Sequence, residues 1–419
     1  MTRKRALVIG GSVGGLFAAT LLRSVGWDAV VFEHNAEELA GRGAGISTHP
    51  ELGDVLRRLA VPFDDSMAIH VDRVIFLDNQ GKTYDQRGTT RTMSSWGRIH
   101  RSLRDLMPQD KYRLGMSLQR VEQDTEGVTA IFANGIRERG DMLIGADGSR
   151  SSVREQFMPD LEPSYAGYVA WRAMLQEAEI PPAVHAEIFE RFTYCLPQGE
   201  LCLAYPVPGL NNETHRGHRA YNIVWYRPVH PEVLTDLCTD ASGRRHGTSI
   251  PLPLIRPGVL AGMRRSAHEL LAPQIAEIMG RCTLPFFQAI FDLASPQIAF
   301  GRVGLLGDAA FTSRPHPGAG TTKAAIDAAS LADAIAAIGP EAGLQRYQRE
   351  QQPFGSGIVA LGRREGAYLS AQLKPRDERK PWELVPWDID DLMRSHNSRS
   401  EEVRKVLTES RRTSEPIKP

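Results

Sequence analysis

Ala6-Leu7-Val8-Ile9 is an apolar run that breaks into Gly10-Gly11-Ser12-Val13-Gly14-Gly15, and Leu16-Phe17-Ala18-Ala19-Thr20-Leu21-Leu22 resumes with apolar side chains at helical spacing. A run so short and apolar throughout suits a parallel strand buried on both faces. Asp28-Ala29-Val30-Val31-Phe32 is a second such run and ends at Glu33. The order strand, glycine turn, helix, strand, acid leaves little choice of architecture: it opens a Rossmann-like α/β sheet. Glycines there permit a tight turn and close backbone approach, so a pyrophosphate can sit on the helix N-terminus. Glu33, 18 residues beyond Gly15, is placed to accept from a ribose hydroxyl. The middle glycine of the G-x-G-x-x-G pattern is Ser12 here. Alone, the turn would also suit a glycine-rich helix start that binds nothing; the flanking strands and Glu33 point to a dinucleotide.

Two later segments bear on which dinucleotide. Asp141-Met142-Leu143-Ile144-Gly145-Ala146 is an apolar strand running into Asp147-Gly148 and a serine-rich, basic helix start. Gly304-Leu305-Leu306 is another strand, ending in Gly307-Asp308, and Arg314-Pro315-His316-Pro317-Gly318-Ala319-Gly320-Thr321-Thr322-Lys323 leads into a helix over 324–337. Asp308, at the carboxyl end of a strand, is placed to bond a polyol chain. Gly318 to Thr322 form a second helix start, whose N–H groups can hold a flavin's pyrimidine edge.

In this order the three motifs resemble the single-component FAD-dependent aromatic hydroxylases of the para-hydroxybenzoate hydroxylase type. Gly43-Ala44-Gly45-Ile46 with Pro50-Glu51-Leu52, Tyr165-Ala166-Gly167-Tyr168-Val169 with Trp171-Arg172, and Arg314-Pro315-His316 with Ala319-Gly320 are similar to the 2,6-dihydroxypyridine 3-monooxygenase branch of that family. The resemblance runs over about residues 5–370. It implies α/β architecture, a Rossmann-like FAD-binding domain with an inserted antiparallel β-sheet substrate domain. It also implies that Gly10, Ser12, Val13, Gly14 and Gly15 hold the FAD pyrophosphate and Glu33 the adenosine ribose. Arg42 and Ser47 would neighbour the flavin, Arg101 would contact it from a helix start, and Leu118 would lend its backbone to the adenine. Asp308 would bond the ribityl chain, and Pro315, Gly318, Ala319, Gly320, Thr321 and Thr322 would border the isoalloxazine. The bland alternative for Arg101 is a solvated helix arginine.

The activity so implied is hydroxylation of a small hydroxylated aromatic or N-heteroaromatic ring, with O2 and NADPH or NADH as transient co-substrate, through a flavin C4a-hydroperoxide. No second complete G-x-G-x-x-G unit is present for the nicotinamide nucleotide: Gly355-Ser356-Gly357 follows no strand. That fits a family whose members bind the reductant over the surface. A ring hydroxyl that loses its proton makes the ring carbon more nucleophilic, so a base is useful. His316 is the first candidate because it sits in the flavin-facing loop and an imidazole ordinarily titrates near neutrality, the alternative being a histidine that hydrogen-bonds only to shape that loop; His49 and Tyr205 follow. Phe311 stands where many relatives carry a histidine. Competing readings are an FAD-dependent isoprenoid reductase, a halogenase-like enzyme and a non-catalytic flavin-binding redox sensor. The Trp-x-Trp-x-Ile-Pro stretch usual in halogenases is absent.

The domain reading assigns 1–75, 98–160 and 285–370 to the FAD domain and 76–97 and 161–284 to the substrate sheet, leaving 371–419 as a charged C-terminal extension. Tyr168, Trp171, Tyr194, Tyr205, Tyr221 and Trp225 are expected to line a flat apolar pocket, although any one of them could be ordinary core. The extension is expected to wrap the surface or be partly disordered, with Trp382 and Trp387 docking and a homodimer contact possible there. Lys+Arg (50) balance Asp+Glu (50), so no field of one sign favours nucleic acid. Four cysteines, none in a Cys-x-x-Cys unit, make neither a disulfide framework nor a zinc site. With no disulfide framework, no apolar stretch of membrane-spanning length and no cleavable leader pattern after Arg3-Lys4-Arg5, the expectation is a cytoplasmic protein without a metal.

Overall fold

The computed structural model describes residues 4–39, 45–64, 66–384 and 387–414. A six-stranded sheet runs in the order Ala299–Phe300, Val303–Leu305, Met142–Gly145, Arg5–Ile9, Asp28–Phe32, Tyr112–Arg113. The central pairings are parallel, with Ala6 opposite Met142 and Ala29, and Ile9 opposite Gly145 and Phe32. Leu7, Val8, Val30, Leu143 and Leu305 are wholly buried, as they must be in strands covered on both faces. The helices Val13–Ser24 and Gly320–Ile338 pack against one another there, and a three-stranded meander, Leu118–Gln123, Val128–Phe132 and Arg137–Gly140, flanks the sheet.

A second sheet has nine strands, in the order Phe311–Thr312, Phe286–Ala294, Ser164–Gln176, Ala220–Pro228, Leu201–Val207, Phe192–Cys195, Ile69–Leu77, Thr83–Ser95, Gly45–Ser47. All neighbours are antiparallel except Phe192–Cys195 with Ile69–Leu77. Alternation along Ser164–Gln176 sends Val169, Trp171, Ala173 and Leu175 to one face and Tyr168 and Ala170 to the other. The first face is covered by Pro257–Leu270 and Pro273–Arg281, whose opening prolines have φ preset for a helix. The second carries Phe192, Tyr194, Tyr205 and Tyr226.

Two expected boundaries move. The one at 75/76 falls inside the strand Ile69–Leu77, and Phe286–Ala294, assigned to the FAD domain, runs in the antiparallel sheet. Gly45–Ser47 belongs to that sheet too, so the chain crosses between the layers more often than the motifs suggested.

The larger correction concerns the C-terminal extension. Ile389–Ser414 is a 26-residue helix packed on the long helix Pro340–Glu365, with Val403 buried beside Phe354 and Ile358. Periodic apolar positions inside a charge-dense segment hold it down. Trp387 docks edge-on against Tyr368, whereas Trp382 is 63% exposed. Among the described residues no helix is long and apolar enough to cross a membrane, and no cluster of His, Cys, Asp and Glu could hold a metal.

Candidate active site

The glycine turn closes on the end of the neighbouring strand. Gly10 has φ +106° and a Cβ there would lie 2.3 Å from the Ala146 carbonyl oxygen; a Cβ on Gly15 would lie 1.9 Å from the carbonyl oxygen of Gly10. Only glycine fits such approaches. Glu33 is buried and accepts from the Gly11 N–H at 2.7 Å and the Asn35 N–H at 2.9 Å, so its carboxylate braces the turn as well as standing where a ribose is expected. Two residues that sequence reasoning passed over hold the other side: Tyr112 Oη and His100 Nε2 bond the Gly11 carbonyl oxygen at 3.0 and 3.1 Å. Burial lowers the pKa of His100, which suits a neutral imidazole donating to a carbonyl. The helix Val13–Ser24 starts without a side-chain cap and without an acid in its first turn, and so does Gly320–Ile338. Each offers backbone N–H groups to a ligand acceptor.

Asp308 lies in the turn after Val303–Leu305, beyond Gly307, whose φ is +66°. Its side chain is open to solvent through the cavity it lines, yet deep in protein mass. That mass raises its pKa, and Lys323 pulls it back. Lys323 and Asp327 are wholly buried, with Nζ 2.9 Å from Oδ2. Lys323 Nζ donates to the Gly307 carbonyl oxygen at 2.9 Å, and the Gly307 N–H donates to Asp327 Oδ2 at 3.2 Å. Asp147, also raised by burial, keeps Oδ1 buried with no partner among the described residues. It lies next to the turn, because a Cβ on Gly10 would be 2.9 Å from its Cα.

A cavity of about 1620 Å3 joins Ser47, Asp308, Pro315, His316, Gly318, Gly320 and Thr321 to the aromatic face of the large sheet. Phe192, Tyr194, Tyr205 and Tyr226 line it, with Met93, Leu201 and Leu203. Gly45 is clamped at its edge: its N–H donates to Asn222 Oδ1 at 3.3 Å, its carbonyl accepts from Tyr205 Oη at 3.0 Å, and a Cβ would lie 2.6 Å from the Tyr205 ring. His316 is 7% exposed and bonds Tyr168 Oη through Nε2 at 2.7 Å. Arg314 fixes this loop through Asp292 at 2.8 Å and Ser370 Oγ at 2.7 Å.

The expected site residues divide accordingly. Ser47, Tyr205, Asp308, Pro315, His316, Gly318, Gly320 and Thr321 meet at one cavity. Ala319 and Thr322 are buried beneath its wall, and Gly10 to Gly15, Glu33, the exposed Arg101 and the half-buried Leu118 lie outside it. His49 does not border it: its Nδ1 is 2.9 Å from Thr322 Oγ1, so it braces the second helix start. Trp171, Tyr221 and Trp225 face the helix-covered side of the sheet, and Tyr168 stands behind His316. Phe192 and Tyr226 replace them. Arg42 lies outside the described residues.

These surroundings fit FAD: Gly10, Gly11 and Gly15 too close-packed for a Cβ, two open helix starts, an acid at each half and an aromatic-walled cavity at the end. The comparisons agree. Residues 3–200 match the FAD binding domain model, and 165–292 an FAD binding domain-like model. The chain is 34% identical over 336 residues to 2,6-dihydroxypyridine 3-monooxygenase of Paenarthrobacter nicotinovorans, covering 79% of this chain and 83% of that one. It is 28% identical to 3-amino-4-hydroxybenzoate 2-monooxygenase of Streptomyces platensis, covering 84% and 85% of the two chains. The structure of 2,6-dihydroxypyridine-3-hydroxylase from Arthrobacter nicotinovorans superposes with a TM-score of 0.82 at 30% identity, over 93% of this chain and 98% of that one. The chain belongs to the family of FAD-dependent aromatic-ring monooxygenases.

Proposed function

We propose that this enzyme hydroxylates a small hydroxylated N-heteroaromatic ring of the hydroxypyridine type, using NAD(P)H and O2. The observation that carries the reading is the aromatic-walled cavity in which His316 and Asp308 share a boundary with the 315–321 loop. The likeness to a dihydroxypyridine monooxygenase over most of both chains supports the choice of ring. When bound, FAD would supply the redox chemistry, by which two electrons from the nicotinamide let one oxygen atom of O2 enter the ring while the other leaves as water.

In this reading the six-stranded layer holds FAD and the nine-stranded layer the ring. The start of Val13–Ser24 takes the pyrophosphate, Glu33 the ribose and Asp308 the ribityl hydroxyls, while Gly318 to Thr321 border the flavin ring. Phe192, Tyr205 and Tyr226 keep water out and hold a flat substrate. His316 takes the proton of a ring hydroxyl, which raises electron density on the carbon to be oxygenated. Once protonated, both imidazole nitrogens are donors, and Tyr168 Oη accepts one of them. Burial pushes the Tyr168 phenol far up, so it stays neutral in that role. Four free, buried cysteines support a reducing, cytoplasmic setting.

The test is NAD(P)H consumption by the FAD-loaded protein across hydroxypyridines and phenols, with product mass. Gain of one oxygen on a hydroxypyridine is expected. If no ring compound accelerates oxidation, the reading fails.

A further inference from the structure

The helix Ile389–Ser414 does more than pack on its neighbour. Leu392, Met393 and His396 fall on one helical face and are 7%, 7% and 0% exposed. Leu392 and Met393 join the apolar cluster that contains Phe192, Tyr194, Tyr205 and Tyr226, and both line the cavity. His396 lies just behind. Its Nδ1 is 3.2 Å from Tyr194 Oη, and its ring meets Phe192 edge-on with centroids 4.7 Å apart. The His396 carbonyl accepts from Arg91 Nη1 at 2.6 Å, and Arg91 Nη2 donates to Ser47 Oγ at 2.6 Å. One turn of this helix is therefore tied both to the aromatic wall and to the Gly45–Ser47 strand.

A helix so rich in charge needs no histidine in its buried face merely to stay attached. Burying a polar ring costs free energy unless its hydrogen bonds are met, and here one is met by a tyrosine of the cavity wall. A methionine on that wall gives a soft, adaptable surface for an aromatic face.

We propose that the C-terminal helix completes the ring site: Met393 is a specificity-determining wall against the substrate ring, and His396 is a positioning residue that fixes the Tyr194 hydroxyl. The proposal rests on the hydroxylase reading above. It concerns the ring and not the flavin, so FAD retention separates it from a general loss of structure.

The test uses the full, FAD-loaded chain with Met393→Ala, Met393→Phe, His396→Phe and His396→Asn. Ring affinity is read from the perturbation of flavin absorbance, and KM and kcat are read on a series of hydroxypyridines of increasing size. Met393→Ala should raise KM for the smallest rings about tenfold, the scale of a few lost methylene contacts, with kcat and FAD retention unchanged. Met393→Phe should reject the larger rings first. His396→Phe should weaken ring binding, and His396→Asn, which keeps a hydrogen-bonding group and the fold, should recover most of it. Met393 variants with the wild-type ring profile, an Asn that rescues nothing, or variants that shed FAD without altering ring preference would overturn the proposal. A wild-type enzyme inert to every ring sinks the hydroxylase reading and this inference with it, whereas an active wild type with unresponsive variants sinks the inference alone.

Discussion

Lys323 and Asp327 form an ion pair one helical turn apart with neither side chain exposed to solvent, and together they hold both backbone groups of Gly307. Removing one partner strands the other. Lys323→Met should destabilise the protein by about 3–5 kcal/mol, while Lys323→Met with Asp327→Leu should recover much of that loss. Chemical denaturation of the two variants checks this. A single variant within about 1 kcal/mol of wild type would be inconsistent with a charged pair.

Asp308 feels the charges of that pair, and its side chain makes no hydrogen bond among the described residues. Asp308→Ala should keep the melting temperature of the FAD-free protein within a few degrees and weaken FAD binding about tenfold or more, the scale of lost hydrogen bonds to hydroxyls. Gly15→Ala should differ, because its Cβ would lie 1.9 Å from a carbonyl oxygen and the fold itself should suffer. Fluorescence titration of FAD beside thermal melts distinguishes the two. Normal FAD retention in Asp308→Ala would remove Asp308 from the site.

His316 and Tyr168 share a bond of 2.7 Å. His316→Asn should lower kcat about 100-fold on a ring whose hydroxyl must ionise, with a smaller fall in Tyr168→Phe. The deficit should narrow as pH rises through the substrate's own pKa, because the ring then ionises without help. A pH-independent deficit would assign His316 to loop shape alone.

Stability should also carry a pH signature far from the site. Glu177 is buried against Arg219, 2.7 Å away, and also meets His185. Burial alone would raise its pKa, but these partners prevail and hold it at about 2. A carboxyl depressed in the folded state stabilises it above the ordinary glutamate pKa and loses that contribution as pH falls toward 2. Glu177→Gln should therefore cost up to about 3 kcal/mol at neutral pH, a deficit that shrinks as pH falls and becomes small only near pH 2. Acid titration of the melting temperature for both proteins is the measurement, and parallel curves would contradict it.

The parts of the site that were legible in the sequence are those made by backbone. Gly10 to Gly15, Asp308 and the 315–321 loop are marked by glycine, proline and acid at strand ends, and such marks survive without knowledge of the partner strand. Face assignment was not legible. Phe192–Cys195 and Leu201–Val207 are buried along their whole length, so alternation shows that Phe192 and Tyr194 share a face but not which face meets the cavity. Trp171, Tyr221 and Trp225 were misplaced for that reason. The place of His49 beside Thr322, away from the cavity, was not legible either, because a buried histidine at a helix start looks the same in sequence whether it faces a ligand or a neighbouring hydroxyl. In the C-terminal helix, charge density masked the spacing of Leu392, Met393 and His396.

The strand order has a consequence for how the chain is made. Arg5–Ile9 lies at the heart of the parallel sheet, yet Val303–Leu305, two places away, leaves the ribosome about 300 residues later. The helix that walls the cavity comes later still. Long sequence separation slows closure and leaves open sheet edges at risk of wrong pairing. Early segments therefore stay unpaired for most of synthesis, and a chain stopped short of residue 389 would be born without Leu392 and Met393, one side of the aromatic-walled cavity.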